Sequence, residues 1–432
     1  MKTKKRTRLL AIAAMLTCII PSADAQSIEE LWAAAEQNYP LIRQYELIRL
    51  TKDATLENIQ RGWLPQISAS AQATLQSDVA AWPSEMKGML NQMGLDVKGL
   101  RRDQYRVGID IVQPIYDGGM IRSQAELARA EADASEAEAD VQIYQLRRRI
   151  NDLYFGLLMV EEQMRLNDEQ HSLLEANEKK LASMFKNGTA AECDWGAVRA
   201  EMLTCEQRGK DLEVQRSTLA HLLGVFCGLE DVKAELPKDT YIYNNVSSED
   251  MHPELRLVDA RLKVVEMHEH QLDVALRPRL SLFASGFYGY PGYNMFEDMM
   301  RHRWTLNGIV GAKLSWNITP LYTRRSDKTR LRLQREQAEV GRDVFLFNQR
   351  LQTEQQSADI ERLNANLAKD DEIISLRKSI RIAAESKLQH GIIDASGLVK
   401  EISNENSARL NKAVHQVQYW KTIYDKKVTI NK

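Results

Sequence analysis

The chain has 432 residues, of which 44% are hydrophobic, 27% charged and 7% aromatic. Its 21 glycines and 10 prolines make up about 7% of the sequence against roughly 12% on average, which predicts few turns and long elements. A net charge of −2 gives no basic footprint for nucleic acid, and the composition is too apolar for a disordered protein.

Residues 1–25 have the layout of a secretory signal. Five basic residues precede the apolar run Leu9–Ile20, and Ala23-Asp24-Ala25 provides a cleavage site. A retained membrane anchor is the alternative, but twelve residues of helix span only about 18 Å of a roughly 30 Å bilayer core. We therefore expect cleavage after Ala25, which leaves 53 Lys and Arg against 59 Asp and Glu, a charge of −6.

The mature sequence is an internal repeat. Two motif pairs recur at an offset of 213 residues, and two further pairs recur at an offset of 203. They are Tyr39-Pro40 with His252-Pro253, Leu64-Pro65 with Arg277-Pro278, Val107-Gly108 with Val310-Gly311, and Phe185–Gly188 with Leu388–Gly391. We predict a first repeat at 26–227, a linker at 228–250 and a second repeat at 251–432.

Each repeat begins with a helix and continues with two predicted strands, at 66–76 and 104–114 in the first copy and at 279–289 and 304–317 in the second. The prediction depends on alternation, since Ile67, Ala69, Ala71, Ala73 and Leu75 are separated by polar residues. Strands of about ten residues with one apolar face have the length that crosses a bilayer when tilted.

A long helix and a returning helix follow the strands of each copy. We predict them at 121–187 and 190–225, and at 324–390 and 394–428, with turns at Gly188 and Gly391. The first long helix has a coiled-coil seam with 4-3 spacing. The seam positions are Leu146, Ile150, Leu153, Leu157, Val160, Met164, Asn167, His171, Leu174, Glu178, Leu181 and Phe185, and the noisier second seam has Ile360, Leu363, Leu367, Ile374, Ile380, Ala384 and Leu388.

The mature chain keeps three cysteines. Cys193 and Cys205 would lie about 18 Å apart on one predicted helix, which is too far for a disulfide. We expect these two residues and Cys227 to be small buried side chains rather than a redox or zinc site.

Four strands are too few to close a barrel, and open sheet edges are not tolerated in lipid. Several copies must therefore pool their strands, and three chains would supply twelve. We predict a mainly α protein in which long antiparallel coiled-coil helices form an α-barrel. A homotrimer would complete a twelve-stranded membrane β-barrel.

The sequence resembles the TolC family of outer-membrane channel and efflux proteins. The resemblance covers 26–432 and is carried by the duplicated plan, a tip glycine in each copy, and the junction residues. Those are Pro65, Pro278 and the segment Pro114-Ile115-Tyr116-Asp117-Gly118-Gly119. It implies a homotrimer in the outer membrane of a Gram-negative bacterium, with its helical part in the periplasm. Its partners would be a periplasmic adaptor and an inner-membrane pump such as an RND or ABC transporter.

By the same resemblance, the helical tips should contact the adaptor. The tip residues are Lys186, Asn187, Gly188, Thr189, Asp194, Gln389, His390, Gly391 and Asp394. Asp194 matches an Asp that often follows the tip glycine in the family, whereas Gly397 and Lys400 stand at the corresponding acidic positions of the second copy. Two hypotheses remain for Asp194, an ion pair that holds the channel mouth closed and a solvated carboxylate at a helix start.

Other candidate sites are weaker. Glu266, His268 and His270 lack a third ligand at useful spacing, so a solvated helix face is the preferred interpretation. Cu(I) transport is a minor alternative for the methionines of the two strand-connecting loops, which otherwise fit short apolar helix faces. They are Met86, Met89, Met93, Met295, Met299 and Met300.

Five aromatic residues near the end of the third strand predict an interfacial belt. They are Phe287, Tyr288, Tyr290, Tyr293 and Phe296. No catalytic constellation or cofactor motif stands out, so we expect a protein that is not an enzyme. The resemblance to the TolC family implies a passive exit duct for efflux or type I secretion. A periplasmic coiled-coil protein with a structural or adhesive role is the alternative, although it leaves the paired amphipathic strands unexplained.

Overall fold

The computed structural model describes residues 27–230, 232–237 and 252–431. The predicted signal peptide and most of the predicted linker lie outside these ranges. The chain forms two compact units. We call Arg43–Asp140 with Pro253–Phe345 the sheet unit, and the remaining described residues the hairpin unit.

The sheet unit combines four strands with the helices that precede and follow them. The first-repeat elements are α2 (Ile42–Gln60), a 3-10 turn (Arg61–Trp63), β1 (Gln66–Leu75), α3 (Ser84–Gln92), β2 (Asp103–Tyr116) and α4 (Met120–Tyr144), whose last turn belongs to the hairpin unit. The second-repeat elements are α7 (Pro253–Val274), β3 (Arg279–Tyr290), α8 (Met295–Met300), β4 (Thr305–Ser315) and the start of α9 (Pro320–Gln389).

The four strands form one antiparallel sheet in the order β1-β2-β3-β4. Its register places every predicted apolar position on one face, because Ile67 pairs with Ile111 and Ala71 pairs with Val107. Residues on that face are Ile67, Ala69, Ala71, Ala73 and Leu75 of β1, Tyr105, Val107, Ile109 and Ile111 of β2, Leu280, Leu282, Ala284, Gly286, Tyr288 and Tyr290 of β3, and Leu306, Gly308, Val310, Ala312 and Leu314 of β4.

The opposite face of the sheet is mainly polar. It carries Gln66, Ser68, Ser70, Gln72 and Thr74 of β1, with Arg106, Asp110, Ser285, Asn307 and Lys313 on the other strands. Both edges of the sheet, β1 and β4, are unpaired within the described chain. The prediction of a mostly helical protein with a small antiparallel sheet is confirmed.

The hairpin unit contains α1 (Ile28–Asn38), α5 (Leu146–Lys186), α6 (Glu192–Cys227), the later part of α9, and α10 (Ala395–Ile430). A capping box starts α1, in which the Ser27 side chain accepts from the Glu30 N–H and the Glu30 carboxylate accepts from the Ser27 N–H. A buried cluster joins α1, α5, α6 and α10. Its members include Leu31, Trp32, Ile150, Tyr154, Phe155, Leu223 and Tyr424.

The two predicted coiled-coil seams, in the long helix of the first repeat and in that of the second, differ in how many of their positions are buried. Of the twelve predicted positions in the first seam, seven are buried, namely Leu146, Ile150, Leu157, Val160, Asn167, Leu174 and Leu181. In the second seam only Leu363 and Ala384 are buried, and Ile380 is 46% exposed. The first long helix therefore packs chiefly within its own chain, whereas the second leaves apolar surface open.

Several expectations need correction. The predicted uninterrupted helix 121–187 is two helices, α4 and α5, separated at Gln145. The backbone at Gln145 has ψ −18°, flatter than the roughly −42° of an α-helix. This irregularity lies beside Tyr144, whose hydroxyl donates to the Val428 carbonyl oxygen at 2.6 Å.

Two predictions about exposure are also partly wrong. Cys205 and Cys227 are buried, but Cys193 is exposed because it lies in the first turn of α6 at the helical tip. Of the predicted aromatic belt, Phe287 and Tyr290 are each only 4% exposed. Phe287 lies under the Arg106 guanidinium at 3.9 Å, and Tyr290 packs with Leu100 and Met299.

Candidate functional site: the helical tips and the strand-to-helix junctions

The first helical tip is a glycine-ended turn between α5 and α6. Gly188 has φ +71°, and its N–H donates to the Phe185 carbonyl at 2.9 Å while the Thr189 N–H donates to the Met184 carbonyl at 2.8 Å. These two bonds are the Schellman arrangement, which satisfies the last carbonyls of a helix. Lys186, at the end of α5, is exposed.

The second tip repeats this geometry between α9 and α10. Gly391 has φ +70° and donates to the Leu388 carbonyl at 3.0 Å, while the Ile392 N–H donates to the Lys387 carbonyl at 2.9 Å. The turn continues into α10, whose N-cap Asp394 accepts from the Gly397 N–H at 2.9 Å. Backbone geometry at the two tips is therefore the same although their side chains differ.

Asp194 connects the two tips of one chain. Its carboxylate accepts a hydrogen bond at 2.9 Å from the backbone N–H of Ala395, the first residue of α10. The start of α10 thus has two carboxylates, Asp394 from its own turn and Asp194 from α6, and both lie where the helix dipole favours negative charge. In the described residues Asp194 caps a neighbouring helix and forms no ion pair.

A shared apolar core supports the tips. Leu181 of α5, Val198 of α6, Ala384 of α9 and Leu398 of α10 are all buried in one cluster. The turns themselves remain accessible, because the predicted contact residues other than half-buried Asp194 are exposed. They are Lys186, Asn187, Gly188, Thr189, Gln389, His390, Gly391 and Asp394.

We call α5 with α6 the first hairpin and α9 with α10 the second hairpin. A buried charge cluster further along the second hairpin is absent from the sequence-based prediction. The Glu405 side chain, 5% exposed, accepts from Arg381 at 2.5 Å and from Arg409 at 2.6 Å. Arg409 also bonds Glu169 of α5 at 2.9 Å. Burial alone would raise the pKa of the Glu405 carboxyl, but the hydrogen bonds from the two arginines outweigh it and hold that pKa below its ordinary value.

The junction between β2 and α4 is built around Asp117. Its carboxylate accepts from the Gly119 N–H at 2.8 Å and from the Ile121 N–H at 2.6 Å, which caps the start of α4. Gly118 has φ +74°, and a Cβ there would lie 2.9 Å from the Arg277 Cβ. Glycine at this position is thus required both by the backbone and by close packing against the approach to β3.

Two of the three junction prolines lie just before strands, and the third lies near the end of one. Pro65 and Pro278 directly precede β1 and β3, where a missing N–H costs no ladder hydrogen bond. Pro114 lies within β2 where the pairing with β3 shifts between Pro114 and Tyr116. This irregularity lets proline occupy a strand with partners on both sides.

Metal-site hypotheses gain no support. No group of three or more His, Cys, Asp or Glu in the described ranges is placed to hold a metal ion. Glu266 instead pairs with Lys263 at 2.9 Å. The loop methionines Met86, Met89 and Met93 are at least 45% exposed.

Comparison with known proteins identifies a matching family model and several solved structures with a similar fold. Residues 31–224 match the family model of outer membrane efflux proteins, whereas no curated protein matches the sequence. Among solved structures, CusC is 11% identical with a TM-score of 0.66, covering 94% of this chain and 92% of that one. The outer membrane channel CmeC of Campylobacter jejuni is 14% identical with a TM-score of 0.66, covering 93% and 85%.

VceC of Vibrio cholerae is 12% identical with a TM-score of 0.67, covering 93% of this chain and 95% of that one. The resemblance to the TolC family is confirmed. The matched family model is that of outer membrane efflux proteins, and the similar solved structures show that the chain has the fold of outer-membrane channels. In the described part of this chain, no helix combines the length and hydropathy needed to span a membrane.

Proposed function

We propose that this protein is the outer-membrane exit duct of a tripartite efflux or type I secretion system, and that it works as a passive homotrimeric channel. The observation that carries the proposal is the sheet with one mainly apolar face, on which Asp103 and Gln113 near the ends of β2 are polar exceptions, and one mainly polar face. In a lipid bilayer the apolar face would contact acyl chains, while the polar face with Arg106, Asp110 and Lys313 would line water.

Aromatic side chains at both ends of the strands support a membrane position. Exposed aromatics near the helical end are Trp63, Tyr116, Trp316 and Tyr322, and those near the loop end are Tyr105, Tyr288, Tyr293 and Trp304. Tyrosine and tryptophan concentrate at the two interfaces of a bilayer. The strands between them have 10 to 14 residues, which suits a tilted transmembrane strand.

The unpaired edges support closure by further copies. Pairing β4 of one copy with β1 of the next would leave no edge in lipid, and three copies supply twelve strands. Unpartnered apolar stripes lie on the helices next to these same edges. They are Leu47, Leu50 and Ala54 on α2 and Leu333, Val340 and Val344 on α9, all exposed and at helical spacings of three, four or seven.

The tips are the surface that the proposal assigns to a periplasmic adaptor, which would connect the channel to an inner-membrane pump. Two identical Schellman turns present short exposed loops, with Lys186 to Thr189 on one hairpin and Gln389 to Gly391 on the other. Their shared core gives the adaptor a rigid support, because buried residues of all four helices pack beneath them.

A pair of adjacent substitutions tests the membrane assignment. Ala71→Arg places a charge on the apolar face of β1, whereas Ser70→Arg places it on the polar face one residue away. A charge at the middle of the lipid face costs about 2–4 kcal/mol, so we expect Ala71→Arg to lose outer-membrane assembly and Ser70→Arg to keep it.

The measurement is the amount of heat-modifiable trimer in the outer-membrane fraction. Equal amounts of trimer for the two variants would contradict the lipid assignment. Recovery of the unmodified protein as a soluble periplasmic monomer would favour the structural or adhesive alternative.

Substitution of Asp194 tests whether the helical tips gate the channel. We expect Asp194→Ala to release the start of α10 and raise the single-channel conductance of the purified protein, because the capping bond to the Ala395 N–H joins the two hairpins. Asp394→Ala is the matched control, since it removes a cap of α10 that comes from its own turn. Conductance equal to that of the parent would remove the gating role of Asp194.

A further inference from the structure

A cationic groove lies along the start of α9, outside the tips and junctions. It has a volume of about 440 Å³ and runs between α7 and α9. Four basic side chains line it, together with Val265, Glu269, Thr329 and Leu331. The basic residues are Arg325, Lys328, Arg332 and Arg335.

The nearby carboxylates do not pair with all the basic side chains at the start of α9. Six basic residues lie between Arg324 and Arg335, and four of them have a carboxylate within 4 Å. The pairs are Arg324 with Asp273 at 2.6 Å, Lys328 with Asp273 at 3.4 Å and Glu269 at 3.6 Å, Arg330 with Asp327 at 3.5 Å, and Arg332 with Glu336 at 3.6 Å. Arg325 and Arg335, one at each end of the groove, have no carboxylate partner among the described residues.

Two of the four groove cations are specific to the second repeat. At the offset of 203 residues, Lys328 corresponds to Ala125 and Arg335 corresponds to Ala132, whereas Arg325 and Arg332 correspond to Arg122 and Arg129. The first-repeat helix has more carboxylates than cations from Arg122 onward, with Glu126, Glu131, Asp133, Glu136, Glu138 and Asp140. The duplicated backbone therefore does not require the full cluster, and a ligand-binding role would account for the added charge.

The groove would lie beside the interface of the proposed trimer rather than under it. Its four basic residues lie about 80° to 160° around α9 from Leu333 at 100° per residue, with Arg325 nearest and Arg335 farthest. Since Leu333 belongs to the stripe assigned to a neighbouring copy, that interface would leave the groove accessible and come closest to Arg325.

We propose that this groove binds a phosphate-bearing anion, held chiefly by Arg325 and Arg335 with Lys328 and Arg332 between them. The planar guanidinium group matches two phosphate oxygens at once, which a lysine ammonium cannot do. Arg325 and Arg335 are ten residues apart, about 15 Å along the helix, so the groove suits an extended or multiply charged phosphate rather than a single small anion.

Two sources would supply such a ligand. Arg325 is five residues past the start of α9, about 8 Å along the helix from Pro320, which places it at the sheet end of the helix, within reach of a phospholipid headgroup. A soluble phosphate compound passing through the channel is the other source. The phosphate chemistry is the same for both, and the binding does not depend on the channel function.

Two binding experiments on the full-length detergent-purified protein test the proposal. One measures binding of inorganic pyrophosphate by calorimetry, and the other measures capture of vesicles that contain phosphatidylglycerol against vesicles of phosphatidylcholine alone. The test variant is Arg325→Gln with Arg335→Gln. The matched control, Arg122→Gln with Arg330→Gln, removes the same charge outside the groove, since Arg122 is the first-repeat equivalent of Arg325.

We expect the test variant to weaken binding about tenfold or more and the control to leave it unchanged. A loss in the pyrophosphate experiment supports a free phosphate ligand, and a loss confined to phosphatidylglycerol vesicles supports a lipid headgroup. The proposal is overturned if the parent binds neither probe, or if test variant and control lose binding equally. Both outcomes are independent of conductance, so failure here and failure of the channel proposal are distinguishable.

Discussion

The two helical hairpins of this chain have the same backbone geometry at their turns but differ in the side chains packed between their helices. Both turn at a glycine with φ near +70° and the same pair of Schellman hydrogen bonds. At the offset of 203 residues, however, buried Met202 of the first hairpin corresponds to buried Glu405 of the second, which two arginines neutralise. Duplication thus preserved turn geometry and strand pairing, while the side chains between the helices diverged.

The largest expected effect comes from breaking the buried charge cluster. Glu405→Leu removes a carboxylate from the largely buried Arg381, which keeps only Glu385 at 2.6 Å, and we expect the free energy of unfolding to fall by about 3 kcal/mol. Met202→Leu, at the matching position of the first hairpin, conserves volume and should cost less than about 1.5 kcal/mol. Urea unfolding followed by helical circular dichroism measures both variants.

Replacing both charges provides the control for that prediction. Arg381→Met with Glu405→Met exchanges the pair for apolar side chains, and such exchanges are often close to neutral. A double variant as unstable as Glu405→Leu would show that packing, rather than an unpaired charge, explains the loss.

The charge cluster should also make the second hairpin sensitive to acid. The pKa of Glu405 is lowered in the folded protein, so its contribution is complete above the ordinary value of 4.5 and is lost as the pH falls through the lowered pKa. Between about pH 6 and pH 3, the parent should lose more stability than the Arg381→Met with Glu405→Met variant. Parallel losses in thermal melts of the two proteins would contradict this assignment.

The shared backbone predicts equal effects at the two tips. Gly188→Ala and Gly391→Ala should each cost about 1–2 kcal/mol, because a left-handed conformation is unfavourable for a residue with a Cβ. No atom lies within 4 Å of a Cβ built at either glycine, so the backbone is the sole cause. Gly196→Ala, within α6 and equally unobstructed, should stabilise the protein slightly.

Urea unfolding again measures these glycine variants. A clear difference between the costs of Gly188→Ala and Gly391→Ala would show that the tips are not equivalent.

The smallest effect is expected at an exposed ion pair of the first hairpin. Lys179 contacts Glu175 at 2.6 Å, but both side chains are largely in water. Exposed pairs contribute little because solvent screens the charges. Lys179→Ala should leave the melting temperature unchanged within error, and a clear decrease would mean that the surface of α5 is covered in the assembled protein.

Strand positions and faces were predictable from sequence because alternation repeats every two residues over a long stretch. The predicted strand 279–289 is β3 at Arg279–Tyr290, and the apolar positions share one face. The tip turns were predictable because only glycine adopts their φ without strain. These features are local, so neighbouring residues contain the information.

Features that depend on distant partners were missed. The burial of Glu405 depends on Arg381, 24 residues away, and the burial of Phe287 depends on Arg106 of another strand. The internal repeat did contain one signal for the buried charge cluster. Glu405 corresponds to the apolar Met202 of the first repeat, and a carboxylate at such a position indicates a nearby basic partner. The interruption between α4 and α5 at Gln145 was not predictable, because the helical spacing of apolar residues continues through it.

Planar-bilayer recording of the purified trimer tests the central proposal most directly. A sheet with an apolar outer face and a polar inner face should give discrete single-channel current steps, and Ala71→Arg should abolish them while Ser70→Arg preserves them. A trimer that inserts into the bilayer and passes no current would contradict the assignment of this protein as an exit duct.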